Sequence, residues 1–168
     1  MIEGGAASDK AAAGPAEPRP GTILQGGRAK AYRPLPEAER RRAYDEAIAA
    51  YERGDFFEAH ELLEPAWMGT DDLAERALHQ GLIKLAAAYV HGVRGNPLGI
   101  DKNLAGAREH LGLAAGTPAE RWSGLDLDAL IDDIDERRAR IPAEPAGLAG
   151  DPPPFAGDPP PLRRRESR

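Results

Sequence analysis

Helical spacing with few prolines is the feature that most limits how this chain can fold. Only three of its 16 prolines, Pro65, Pro97 and Pro118, lie within residues 37–141. Apolar residues in this segment recur at intervals of three and four, and no convincing run alternates apolar with polar residues as a half-buried strand would. The segment therefore predicts an all-α domain, a compact bundle of about five helices.

The two ends of the chain differ from this segment in composition. Residues 1–36 are rich in Gly, Ala and Pro, and residues 142–168 hold most of the remaining prolines and close with Arg163–Arg165. Neither end can bury enough apolar surface to offset the entropy of ordering it. We therefore predict disordered tails over 1–36 and 142–168 around a helical domain at 37–141. The arginine cluster is expected to be solvated, and its role is left open.

Composition and charge narrow the class of protein. There is no cysteine, so any metal must be held by nitrogen and oxygen ligands. The formal charge of −6 argues against a nucleic-acid partner, because such proteins usually present a basic face. The sequence has neither a basic region followed by an apolar run at its start nor the roughly 18 apolar residues of a membrane span. We expect a cytoplasmic protein without a membrane partner.

Turn and cap residues set the predicted helix limits. The first helix should cover about 36–53, where Gly54 ends it. Glu75 completes a capping box with Asp72 at the start of the third helix. Pro65 should kink or end the second helix, because it lacks a backbone donor. The second to fifth helices are expected to be capped by, in order, Asp55, Asp72, Asn96 and Asp126.

Two polar residues, His60 and Glu64, interrupt the apolar face of the second predicted helix. With about 100° of rotation per residue, Glu64 lies about 40° from His60, and Trp67 about 20° on the other side. We therefore expect His60 and Glu64 to face the core, where an unpaired polar group costs a few kcal/mol. They must meet each other, a third polar group, a trapped water or a metal ion.

The same region resembles the DUF309 family, small helical proteins of bacteria and archaea whose function is uncharacterised. The resemblance covers about residues 41–115 and is carried by residues 54–67, Gln80–Tyr89 and Gly95–Asn96. The defining motif of the family, a histidine, a glutamate and an aromatic residue at helical spacing, falls on His60, Glu64 and Trp67. The resemblance implies a small helical protein with a metal site at this motif. Pro65, inside the motif, and Lys84, where similar sequences often have glutamine, depart from the family pattern.

A divalent metal needs ligands that converge, and a His/Glu pair one turn apart supplies two from a single helix. We predict that His60, Glu64 and His91 hold zinc or a similar ion. The residues expected to line a pocket around them are Trp67, Gln80, Glu61 and Phe56. A metal-bound water there would make the protein a hydrolase. Whether it is an enzyme stays open, and no catalytic residue is assigned.

Other interpretations of the same residues stay open. His60 and Glu64 can form a purely structural pair, or line a pocket for a small molecule without a metal. A different class is a helical, tetratricopeptide-like scaffold that binds a peptide, because the Tyr51–Ala59 joint recurs imperfectly about 38 residues later. A scaffold would expose an apolar groove and leave His60 merely paired, whereas an enzyme would gather polar groups around it. A homodimer through an exposed helix face also stays open.

Overall fold

The computed structural model describes residues 22–25, 28–93, 97–141 and 158–166, with the side chains of 32–90, 98–141 and 158–166. Over these residues the chain forms six helices and one antiparallel hairpin. The helices are α1 (Glu37–Glu52), α2 (Phe56–Met68), α3 (Leu73–Val93), α4 (Pro97–Ala114), α5 (Pro118–Ser123) and α6 (Leu127–Ala139). The hairpin consists of β1 (Thr22–Gln25) and β2 (Arg28–Ala31). The predicted all-α bundle is confirmed, and the hairpin precedes it in the chain.

The bundle is built by packing neighbouring helices against one another. Helices α1 to α4 pack in chain order, α6 packs on α4, and α5 lies against α3 and α4. The largest fully buried apolar side chains are Trp67, Tyr44, Leu78, Leu85, Leu104, Leu111, Leu125, Leu127, Leu130 and Ile134. Each buried side chain of this size stabilises the fold by about 1.5–3 kcal/mol. Among the helices described, none is both long and apolar enough to cross a membrane.

Two of the four predicted side-chain caps form, at Asp72 and Asp126. Asp55 precedes α2 but makes no side-chain cap hydrogen bond, and Asn96 lies outside the described residues. Gly54 adopts φ +84° directly after α1, a conformation that costs a glycine little. The Asp72 carboxylate accepts from the Glu75 amide at 2.7 Å at the start of α3, and the Asp126 side chain caps α6. These short-range bonds depend on neighbouring residues only, which is why the sequence predicts them well.

Two helices differ from the prediction. Helix α2 continues through Pro65 to Met68, so the proline does not end it. The additional helix α5, which the sequence did not predict, begins at Pro118. Proline is well suited to the first position of a helix, and here the Thr117 side chain accepts from the Ala119 amide to cap it.

The chain termini also differ from the prediction of disordered tails. Strands β1 and β2 fall within 1–36, and residues 158–166 lie against the bundle with Leu162 buried. Composition predicts little burial in residues 158–166, but distant helices and the connection between α5 and α6 supply their hydrogen-bond partners. Residues 1–21 and 142–157 lie outside the described part of the chain.

Candidate functional site

The predicted site lies on α2, and its two polar residues flank the buried face of that helix. The buried residues of α2 are Ala59, Leu63, Ala66 and Trp67. The centre of this face lies about 75° from His60 and about 115° from Glu64. The His60 side chain keeps 27% of its exposure, and Glu64 is half-buried. The prediction that both face the core is wrong, because the small alanines shift the packed face away from them.

His60 has a polar partner at the surface. Its Nδ1 lies 3.2 Å from Oε1 of Glu61, whose side chain is 54% exposed. A polar contact this exposed contributes less than about 1 kcal/mol, because water competes for both groups. The pairing satisfies His60 without requiring a ligand.

The predicted metal ligands are only partly described. His60 and Glu64 lie one turn apart on α2, whereas the side chain of His91 lies outside the described residues. Among the side chains that are described, no three of His, Asp or Glu form a group that could hold a metal ion. The prediction of a divalent ion therefore rests on His60 and Glu64.

The residues predicted to line a pocket lie in different surroundings. Trp67 is buried in the core. Phe56 packs between the rings of Tyr51 and Tyr89, with centroids 5.2 and 5.3 Å away. Gln80 lines a groove between α3 and α4. The helices thus place Phe56 and Trp67 among apolar side chains and Gln80 at a separate surface.

The most buried polar cluster is centred on Glu75 instead. Arg40 Nε donates to Glu75 Oε1 at 2.6 Å, and Arg40 Nη2 donates to Oε2 at 3.2 Å. The Thr70 hydroxyl donates to Oε2 at 3.3 Å, and His79 Nε2 lies 3.4 Å from Oε1. These bonds tie α1 to the start of α3. The sequence carries a signal for the cluster, because Glu75 and His79 have the spacing of a facing pair on a largely apolar helix.

Burial and charge set the ionisation of this cluster. Burial alone would raise the pKa of Glu75, but the hydrogen bonds from His79 and Arg40 outweigh it and lower the pKa to about 2. Burial lowers the pKa of His79 although Glu75 opposes the shift. We therefore assign a neutral His79 at pH 7 and a Glu75 carboxylate held mainly by the Arg40 cation.

The chemistry open to this cluster is limited by access. A neutral histidine oriented by a carboxylate is an arrangement used in general-base catalysis. His79, however, is fully buried, and the rings of Tyr44 and Trp122 lie edge-on to it at 6.2 and 5.6 Å. A substrate cannot reach the imidazole, so the cluster fixes the packing of α1 and α3.

A groove between α3 and α4 is the clearest apolar feature of the described surface. It has a volume of about 460 Å³ and is lined by Leu73, Ala74, Arg76, Ala77, Gln80, His110 and Leu113. Leu73 is 77% exposed and Leu113 62% exposed. Large apolar side chains exposed together in this way commonly mark a binding surface. Of the predicted pocket-lining residues, Gln80 belongs to this groove.

These observations define a small helical-bundle protein with a surface groove and a buried ionic cluster. Residues 44–102, from α1 into α4, match the family model described as a domain of unknown function, DUF309. The resemblance to DUF309 that the sequence predicts is therefore confirmed over these residues. Comparison with curated proteins and with solved structures found no match.

Proposed function

We propose that this protein is an interaction scaffold that binds an amphipathic helix of a partner protein in the groove between α3 and α4. The observation that carries the proposal is the joint exposure of Leu73 and Leu113 along that groove. Covering each leucine with apolar partner surface would contribute about 1–2 kcal/mol, at about 25 cal/mol per Å².

The lining of the groove favours a helix as occupant. The small side chains of Ala74 and Ala77 leave room for a partner backbone to approach closely. The larger side chains of Leu73 and Leu113 are exposed on α3 and α4. A helix can present residues at positions i, i+3 and i+4 to such a groove. The alternation of small and large side chains thus fits the apolar stripe of an amphipathic helix.

Charges beside the groove favour an acidic partner. Arg76 lines one end, where its guanidinium donates to the Thr70 carbonyl at 2.8 Å. Lys84 lies close enough to His110 that its charge, together with burial, lowers the pKa of that histidine. One cation, Arg76, therefore lines the groove, and a second, Lys84, lies near its His110, which favours the neutral form. Carboxylates flanking the apolar stripe of a partner helix would pair with these cations.

The surroundings of His60 also support a scaffold over an enzyme. His60 is paired with an exposed glutamate, and the most buried polar groups lie around Glu75, out of reach of substrates. A scaffold needs only that these polar groups be satisfied.

The test uses a synthetic helical peptide with leucines at helical spacing and flanking glutamates. Chemical-shift mapping by NMR on the full chain should place its binding at Leu73, Ala77 and Leu113. Leu73→Glu and Leu113→Glu should each weaken binding at least tenfold without lowering the melting temperature, because both side chains are exposed. The matched control is Leu98→Glu, since Leu98 is equally exposed on α4 but does not line the groove.

Two results would contradict the proposal. Peptide shifts that map away from the groove, or that persist in both glutamate variants, would exclude this surface as the docking site. A concentration-dependent dimer in light scattering, lost on Leu113→Glu, would assign the groove to a second copy of the chain instead of a partner helix.

A second candidate function is binding of a divalent metal at His60, Glu64 and His91. The observation in its favour is that His60 and Glu64 lie one turn apart on α2 with partly accessible side chains. Titration of untagged protein with Zn²⁺ should show one site that His60→Ala and Glu64→Ala both remove. His110→Ala is the control, since it removes a histidine elsewhere. Zinc affinity unchanged by both α2 substitutions would exclude the site, and hydrolysis with it.

A further inference from the structure

Residues 158–166 lie against the bundle as an extended segment, which we name the docked segment. The Asp126 amide donates to the Arg163 carbonyl at 3.0 Å, and the Arg165 amide donates to the Gly124 carbonyl at 2.9 Å. The two bonds form an antiparallel bridge between Arg164 and Leu125. The segment is thus held by main-chain pairing of the kind that binds peptides to exposed backbone.

Apolar anchors precede the arginines in the docked segment. Pro160 and Leu162 are buried, and the Tyr51 hydroxyl donates to the Pro160 carbonyl at 3.1 Å. Proline costs little entropy to hold in an extended conformation, and its carbonyl is free to accept. The bundle therefore recognises an extended segment that begins with prolines, and it buries one leucine side chain.

Each of the three consecutive arginines has its own acceptor. Arg163 pairs with the Asp133 carboxylate. Arg164 Nη1 donates to the Ser123 carbonyl at 3.3 Å, and Arg165 Nη1 lies 2.9 Å from Glu120 Oε2. Three different acceptors in sequence fix the register of the segment, which a nonspecific acidic patch would not do.

The acceptors are held in place by the bundle itself. Glu120 is buried and also accepts from the backbone amides of Gly116 and Leu127 at 2.8 and 3.2 Å. Asp133 lies 3.6 Å from Arg137 of the same helix. The carboxylates are thus positioned by contacts that do not involve the docked segment, as in a preformed binding site.

We propose that this surface of α1, α5 and α6 is a recognition site for extended peptides of partner proteins in which proline and leucine precede arginines. The docked segment occupies it within the chain. Charge complementarity identifies the partner chemistry, since Asp133 and Glu120 face Arg163 and Arg165. The site is separate from the groove between α3 and α4, and the inference does not depend on the function proposed for that groove.

The position of the docked segment in the chain agrees with its replacement by a partner peptide. It lies outside the matched region, residues 44–102, and eighteen residues, 140–157, connect it to α6. Arg137 Nε donates to the Asp158 carbonyl at 2.6 Å, so the segment begins beside the end of the helix that precedes the connection. Tethering gives the segment an effective concentration on the order of millimolar, so a free peptide must compete against it.

The experiment compares the natural chain with a full-length variant, Leu162→Asp with Arg163→Glu, designed to release the docked segment. The probe is a fluorescent synthetic peptide with the sequence of residues 158–166, followed by anisotropy. We expect at least tenfold tighter binding to the released variant than to the natural chain. Adding Asp133→Arg to the released variant should abolish that gain. Adding Asp135→Arg, an exposed position on the same helix, should leave it intact.

Loss of peptide binding can be distinguished from unfolding, because circular dichroism of each variant reports whether the helical bundle remains folded. If the double variant unfolds, Arg163→Ala with Arg165→Ala is the milder release, with the same expectation. The proposal would be overturned if the folded released variant binds the peptide no better than the natural chain does. It would also be overturned if that variant binds a scrambled peptide as tightly as the peptide of residues 158–166. A dimer of the natural chain that the release substitutions dissolve would overturn it too, since the occupant would then be a second copy.

Discussion

At the scale of residues, two pairs of histidine and glutamate share the same helical spacing but differ in burial. His60 and Glu64 lie at the edge of a helix whose packed face is set by Ala59 and Ala66. Glu75 and His79 lie on the face that α3 turns toward α1, and Arg40 donates two hydrogen bonds to the Glu75 carboxylate. Spacing alone predicts that two side chains face the same way. Burial depends on which neighbours allow close approach, and small residues decide that.

The first prediction concerns the Glu75 cluster. Glu75→Gln keeps the size of the side chain but removes the charge that Arg40 faces with only 16% of its side chain exposed. Leaving one partner of a largely buried pair uncompensated should lower the free energy of unfolding by about 3 kcal/mol. Urea denaturation measures the change. Asp135→Asn, which breaks an exposed pair with Arg108, should cost less than about 1 kcal/mol. Equal losses in the two variants would contradict the central place given to Glu75.

The second prediction is the acid sensitivity of the fold. The pKa of His79 is lowered in the folded state, so below about pH 6.5 the unfolded chain takes up a proton that the folded chain resists. The folded-state pKa of Glu75 is about 2, so its contribution is lost as the pH falls from about 4.5 toward 2. Unfolding free energy should therefore fall between pH 7 and 5, and again below about 4.5.

Variants separate the two groups in that pH profile. His79→Gln should flatten the loss between pH 7 and 5, and Glu75→Gln should flatten the loss below about 4.5. His110→Gln is a weaker control, because His110 also has a lowered pKa but is only half-buried. A profile between pH 7 and 5 that His79→Gln leaves unchanged would show that the buried imidazole does not govern it.

At the scale of elements, the approach of α3 to α4 depends on one glycine. A Cβ added at Gly81 would lie 2.7 Å from Leu111 Cγ and 3.1 Å from the Leu111 backbone nitrogen. A backbone neighbour cannot give way as a flexible side chain can, so the helices would have to separate. Gly81 and Leu111 directly follow Gln80 and His110, which line the groove between α3 and α4, so a separation of the helices here would alter the groove.

The third prediction uses that glycine. Gly81→Ala gains up to about 1 kcal/mol of helix propensity but forces an overpacked contact that costs about 1–3 kcal/mol, so a net loss of stability is expected. Gly112→Ala on α4 is the matched control, because its added Cβ meets no atom within 4 Å and should stabilise the fold by about 0.5–1 kcal/mol. The melting temperatures of both variants, compared with that of the natural chain, test these two expectations. Stabilisation by both substitutions would show that α3 and α4 can move apart at little cost.

Local features made most elements predictable and left the site only partly so. Gly54, Asp72 and Asp126 fix helix ends through bonds within a few residues, and the sequence predicts those ends. Helix α5 was not predicted, because a proline is usually taken as the end of a helix, and here Pro118 begins one. The large apolar residues of α2, taken alone, place His60 on the buried face of that helix. Counting Ala59 and Ala66 as core would have placed His60 at the edge.

At the scale of the whole molecule, long-range contacts decide what the ends of the chain do. Residues 32–36 join the end of α2 through bonds from the Arg33 and Leu35 amides to the Met68 and Gly69 carbonyls. The docked segment binds α5 and α6 through side chains 30 and 41 residues away from their partners. Composition predicted disorder for these segments, since their own residues bury little. Their order depends on acceptors presented by the finished bundle, which no local pattern contains.

The last prediction follows from this dependence and uses trypsin. Arg163–Arg165 have accessible side chains, but their backbone is paired with Gly124 and Asp126, so a protease can cleave there only after the segment leaves the bundle. Leu162→Asp removes the buried anchor, worth about 2 kcal/mol, and should speed cleavage at these arginines more than tenfold at low protease concentration. Mass spectrometry identifies the cut, and no lysine or arginine lies within 142–157 to confuse it. Leu113→Asp, which alters an exposed leucine in the groove between α3 and α4, should leave the rate unchanged. Cleavage of the natural chain as fast as that of Leu162→Asp would mean that the segment is already released most of the time.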